Sequence, residues 1–287
     1  MPDNKKTVRF DFFKPYYLIT DDNGNTTEQL YDLSSLFQFV DERPFSETKK
    51  KVLGDTHMFH ICKYHEERNI WELQVLHLRE KMLPGIADDA GAFKLIELED
   101  NEYPAESTTL IFNVENNILY MQRNIYGTSI SALEEYLRLL SPEGTKMLLK
   151  PIHVDRRISQ VTENKFYRKI ILTADSTDLP DEGIFPSLRS LIKSFSNYQG
   201  KCVKFEIGFG HKSGNLDSSQ SCQLIREAYE YSGTSKLNVS LSDDEDTHVE
   251  TIDLMDDRAN YKVDITYSRE NPITHDRLFN RLLMALD

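Results

Sequence analysis

Cysteine is scarce in this chain: Cys62, Cys202 and Cys222 are the only three, odd in number and far apart. No disulfide framework is expected, and reduced thiols fit a cytoplasmic protein. Long apolar runs are also missing, since no stretch approaches the roughly 18 to 20 residues of a membrane-spanning helix. The opening MPDNKKTVRFDFFKPYY is interrupted by Arg9, Asp11 and Lys14, so it does not form the apolar core of a secretory leader. There is no GxxxxGKS/T phosphate loop, no GxSxG nucleophile elbow and no CxxC pair. With no complete catalytic set in view, neither an enzyme, a cofactor nor a bound metal is expected. What is present is a folding composition: 287 residues, 39% hydrophobic and 10% aromatic. That is too apolar for a disordered chain and long enough for two subdomains.

An excess of positive charge is absent too, because 47 acidic residues outnumber 34 lysines and arginines and the formal net charge is −13. The surplus is local. Residues 86–106 hold seven acids (Asp88, Asp89, Glu97, Glu99, Asp100, Glu102, Glu106) against Lys94 alone. Residues 243–257 hold eight acids against no lysine or arginine. Outside these windows the chain is near neutral. Residues 146–169 carry Lys146, Lys150, Arg156, Arg157, Lys165, Arg168 and Lys169 against Asp155 and Glu163. The placement of charge, not its total, decides where a polyanion is held or repelled.

The periodicities alternate between strand and helix. Thr7 to Ile19 reads as an opening strand ending at a turn over 21–25, and Thr27 to Val40 has helical spacing. Lys51 to Lys63 and Asn69 to Arg79 read as strands of a hairpin, followed by a loop-like acidic stretch from Leu83 to Tyr103. Thr108 to Val114 and Ile118 to Arg123 flank an asparagine turn. A helix from Ser129 to Leu140 follows, then strands over 145–154 and 165–174. Helices over 184–198, 221–232 and 274–286 and strands over 201–209, 236–241, 249–254 and 261–267 complete the pattern. Without a regular βαβ rhythm, this predicts an α+β fold of mostly antiparallel sheets with flanking helices. The expected subdomains are 1–102 and 103–287.

Side chains alternate across a strand, so Lys146 and Lys150 share one face, as do Lys165 and Lys169. Such a track suits nucleic-acid phosphate, which needs distributed cations and no base reading. The plainer alternative is a solvated face salt-bridged to an acidic window. His57, His60, Cys62 and His65 resemble a metal cluster when written out, but alternation puts His60 and Cys62 on one face and His57 and His65 on the other. His275-Asp276 suggests a metal phosphohydrolase pair whose other ligands are missing. Lys204-Phe205-Glu206 holds metal-nuclease residue types in reversed order. The glycine-rich Gly208 to Gly214 reads as a flexible loop. The second acidic window reads as a charged strand edge, or as a phosphate mimic occupying a basic surface.

Tyr103 to Asp175 combines the hairpin Leu110-Ile111-Phe112-Asn113-Val114 and Ile118 to Arg123, the segment Tyr126-Gly127-Thr128-Ser129 and an amphipathic helix. The strand Met147 to Ile152 and a second strand ending Lys169-Ile170-Ile171-Leu172-Thr173-Ala174 follow. In this order of elements, over about half the chain, the sequence resembles the RexA family of phage-exclusion proteins. The resemblance implies an anti-phage or phage-related α+β subunit, similar in architecture to the recombination-associated RdgC family, that dimerises and binds duplex DNA without sequence preference. The expectation is therefore a cytoplasmic, non-enzymatic homodimer holding DNA backbone on the basic run. The alternative is a sensor that recognises a phage or partner protein through an acidic surface. A weaker third reading is a metal-dependent nuclease.

Overall fold

The computed structural model describes residues 4–20, 26–81, 83–141, 146–154, 157–176, 180–198, 200–209, 214–244 and 249–286. The turn expected over 21–25, Arg156, residues 210–213 of the glycine-rich loop, and Glu245 and Asp246 lie outside these ranges.

In chain order, β1 (Asn4–Thr20) is followed by β2 (Thr26–Leu30), α1 (Ser34–Asp41), β3 (Lys50–Val52), β4 (Asp55–His65) and β5 (Ile70–Leu78). A small hairpin, β6 (Gly85–Ala87) and β7 (Phe93–Leu95), precedes β8 (Ala105–Asn113), β9 (Ile118–Gln122), α2 (Ile130–Leu140), β10 (Met147–Pro151) and β11 (Phe166–Asp175). The remainder is α3 (Pro186–Lys193), β12 (Cys202–Gly208), α4 (Ser218–Glu230), β13 (Thr234–Ser242), β14 (Glu250–Asp253), β15 (Asn260–Tyr267) and α5 (His275–Leu286). The class is α+β with mostly antiparallel sheets, as the alternation of hairpins and helices predicts.

The contacts divide the chain into two units, one of 1–11, 32–145 and 261–287, the other of 12–31 and 146–260. This is not a division at 102/103, because β5 and β8 pair across that point from Ile70↔Asn113 to Leu78↔Ala105. In the first unit the strand order is β1-β9-β8-β5-β4-β3, with β15 also on β1. One face of this sheet packs under α1 and α2, where Phe37 meets Phe59, Trp71 and Phe112 with ring centroids 5.7–6.3 Å apart. The other face lies under α5, which packs on β8. Both faces are therefore covered, so β5 is buried from Ile70 through Val75. A strand buried on both sides is expected to be apolar throughout, and buried Glu72 and Gln74 depart from that.

In the second unit the sheet order is β12-β11-β13-β14. Ile170, Leu172 and Ala174 alternate inward with Leu237, Val239 and Leu241, against Leu188 and Ile192 of α3 and Ile225 and Ala228 of α4. The second part of β1 pairs with β10 and β2.

Two local readings differ from expectation for identifiable reasons. The helix expected from Thr27 starts only at Ser34. Residues 26–30 instead pair with 16–20, because a 17-residue β1 offers backbone groups that a second strand satisfies, and this leaves Leu30 48% exposed. The single strand expected over 51–63 is broken by a two-residue turn in which Leu53 has φ 52° and Gly54 φ 93°. Two positive φ values in succession match the twist of a tight hairpin. The asparagine turn is as read, with Asn117 at φ 54°.

Candidate functional site

The basic run falls entirely in the second unit, and each of its described members has a partner. Lys146 Nζ lies 3.2 Å from Asp181, and Lys150 Nζ lies 3.1 Å from both Glu28 and Glu230. Arg157 reaches Asp256 at 2.9 Å and Asp257 at 3.8 Å, and it also donates to the Asp253 carbonyl. Lys165 pairs with Asp243. Arg168 donates to the Gly214 carbonyl at 2.7 Å, and Lys169 pairs with Glu206 at 3.1 Å. These heads go to a loop, the end of a helix, two parts of the second acidic window and a neighbouring strand. Carboxylates hold Lys146, Lys150, Arg157, Lys165 and Lys169, and a backbone carbonyl accepts from Arg168. Asp243, Asp256 and Asp257 show that the second acidic window supplies part of this neutralisation.

Beneath that surface lies a buried polar group. Asp257, 0% exposed, accepts hydrogen bonds from the Tyr229 hydroxyl at 3.2 Å and the Ile158 amide at 3.4 Å. Buried Arg258 donates to the carbonyls of Thr234 and Tyr231. The His153 ring stacks on Tyr229 at 3.7 Å, and burial, helped by Arg258 and Lys150, pushes its pKa down to about 4.

The first acidic window is open. β6 and β7 pair only with each other among the described residues. They project Ile86, Phe93 and Leu95 at 50%, 68% and 66% exposure. The Phe93 ring lies over Gly85, where an added Cβ would come within 2.1 Å of it. The Asp88 carboxylate accepts from the amides of Ala90 and Ala92 and orders the connection. Exposed Asp88, Asp89, Glu97, Glu99 and Asp100 flank these residues in sequence, while exposed Lys94 pairs with Ile86 on the face opposite Phe93 and Leu95.

The histidines are sorted by a feature that simple alternation misses. The β4–β5 register shifts between Phe59 and Ile61, so His60 is the extra residue of a β-bulge. One extra residue exchanges the two faces for everything beyond it. His57 and Cys62, expected on opposite faces, therefore share one. The His57 ring lies 5.1 Å from His77 and 6.1 Å from Tyr136, while the Cys62 thiol donates to the Phe37 carbonyl. Burial pushes the His57 pKa down to about 4, with the neighbouring His77 adding to the shift, and it raises that of Cys62. His65 faces α5 instead.

There it joins a residue absent from the sequence-level site. Glu72, on β5, is buried among apolar neighbours, and a carboxylate in that position needs donors. His65 Nε2 lies 2.7 Å from Glu72 Oε2, and His275 Nε2 lies 3.0 Å from Oε1. His275 Nδ1 lies 3.0 Å from the Thr109 hydroxyl, and the Phe279 ring stacks against both histidines. Burial lowers the His275 pKa, opposed by Glu72 and Asp276 and reinforced by His60. Asp276, the next residue on α5, completes a group whose ligand atoms all lie within 4.8 Å of one another. One companion of His275-Asp276, Glu72, thus comes from β5. An acid inside Ile70-Trp71-Glu72-Leu73 was the signal in the sequence.

The apolar faces of α3 and α5 are used internally. Leu188 and Ile192 of α3, and Leu278, Phe279 and Leu282 of α5, are buried within their own units.

These features define an α+β protein of antiparallel sheets with a neutralised basic run, an open acidic hairpin and a histidine–carboxylate cluster. The chain belongs to DUF6731, a family of unknown function, whose model matches residues 3–287. No curated protein and no solved structure matches it. No helix among the described residues is long and apolar enough to cross a membrane.

Proposed function

We propose that this protein is a non-enzymatic interaction subunit that recognises a protein partner through the 85–95 hairpin. The observation that carries this reading is the exposure of Ile86, Phe93 and Leu95 inside an acidic window. Exposed apolar side chains in a predominantly acidic segment favour a partner segment that is both apolar and basic, with the charges guiding approach and the aromatic anchor supplying affinity. The resemblance to RexA supports a role in phage exclusion, acting in the cytoplasm as a homodimer. A photo-crosslinking residue at position 93 identifies the partner, and binding is then measured with both purified proteins. Phe93→Asp combined with Leu95→Asp is expected to weaken binding about tenfold or more, since each anchor is worth roughly 1.5–3 kcal/mol when buried. Undiminished binding by the double variant overturns the reading.

A second reading keeps duplex DNA as the ligand of the basic run. It is favoured by the exposure of two of the acidic partners, Asp243 and Asp256, at 78% and 66% of their side-chain surface. Phosphate oxygens replacing those carboxylates would regain the same ion pairs. Under this reading Asp243→Asn with Asp256→Asn raises DNA affinity in a gel shift, and Arg157→Glu with Lys165→Glu abolishes it. An unchanged shift in both variants removes DNA from consideration.

A further inference from the structure

We propose that Glu72, His275 and Asp276 form a site for a divalent first-row transition-metal ion. The donor set is one imidazole nitrogen and two carboxylates, a combination suited to Zn²⁺ or Mn²⁺. Its ligand atoms already converge within 4.8 Å. Two ligand atoms bound to one ion at about 2.0–2.1 Å in tetrahedral geometry lie about 3.3 Å apart. The 3.0 Å between His275 Nε2 and Glu72 Oε1 is close to that separation, so an ion takes the place of the Nε2 proton with little movement, the ring then carrying its proton on Nδ1, where the Thr109 hydroxyl accepts it.

The surrounding groups fit the same assignment. A ligating histidine is oriented by a hydrogen bond from its other nitrogen, and a ligating carboxylate by a partner on its second oxygen. Thr109 meets His275 Nδ1 at 3.0 Å, and its hydroxyl accepts or donates according to the tautomer. His65 holds Glu72 Oε2 at 2.7 Å. Exposed Asp276 leaves the solvent side open for the ion to enter. These three ligands come from β5 and from two consecutive residues at the start of α5.

Untagged protein, freed of metal by chelation, is titrated calorimetrically with ZnCl₂ and separately with MnCl₂. Uptake of one ion per chain is expected with at least one of them. Asp276→Asn leaves the core untouched and is expected to lower affinity about tenfold or more; Thr109→Val, acting only through His275, is expected to lower it about tenfold. His275→Gln is expected to abolish uptake, with circular dichroism showing that each variant is folded. Absence of uptake of either ion, or affinity unchanged in folded Asp276→Asn, overturns the proposal.

Discussion

At the scale of single residues, the informative positions are polar groups that the fold has buried. His57 is 2% exposed, and its pKa is pushed down to about 4. The unfolded chain therefore binds a proton that the folded chain refuses between about pH 6.5 and 4, so stability falls as pH drops through that window. The full loss attributable to this residue is on the order of 3 kcal/mol. His57→Gln, which keeps a polar group beside Thr128, should flatten the slope of urea-midpoint against pH between 6.5 and 4. A slope equal to that of the wild type would assign the acid sensitivity elsewhere. Glu72 was legible in principle, as an acid within an apolar strand, but its partners were not. His65 is near in sequence, whereas His275 is separated from it by 203 positions.

At the scale of elements, most strands and helices follow from periodicity and punctuation, and the misreadings share a physical cause. Helical spacing at Leu30 and Leu33 was overridden at residues 26–30 by pairing with the long β1. The β-bulge at His60 leaves no mark in the apolar pattern, yet it decides which histidines meet. The Ser129 side chain accepts from the Ala132 amide at the start of α2, and Ser129→Ala should cost about 1 kcal/mol in chemical unfolding. The 85–95 hairpin was read as a loop because its strands are three residues each. Replacing that connection with a short glycine–serine loop should leave the melting temperature nearly unchanged while abolishing partner binding. A large fall in melting temperature would instead make the hairpin structural.

On the scale of the whole molecule, charge geography was visible and its resolution was not. The sequence displays a basic run and two acidic windows, but only folding shows that Asp243 and Asp256 meet Lys165 and Arg157, while in the first window Glu106 meets Arg79 and the hairpin acids Asp88 and Asp89 stay exposed. The two-unit division was hidden for the same reason, since each unit is assembled from separated segments. A chain ending at Asn260 lacks β15 and α5, and with them buried Leu278, Phe279 and Leu282. Each of those side chains contributes roughly 1.5–3 kcal/mol, against a typical domain stability of about 5–15 kcal/mol. Hydrogen exchange on this truncation should show β4, β5 and β8 unprotected while β11 and β13 keep their protection. Protection retained in both groups would mean that α5 is dispensable.

The division of β1 between the units has a consequence for synthesis. Its first residues belong with 32–145 and 261–287, and its later residues with 146–260. Its partners β2, β9, β10 and β15 are therefore made one after another, β15 only after all the others. Until β15 has been made, a nascent chain leaves part of β1 without one of its partners, and an open strand edge of that kind is where a holding chaperone would be of use.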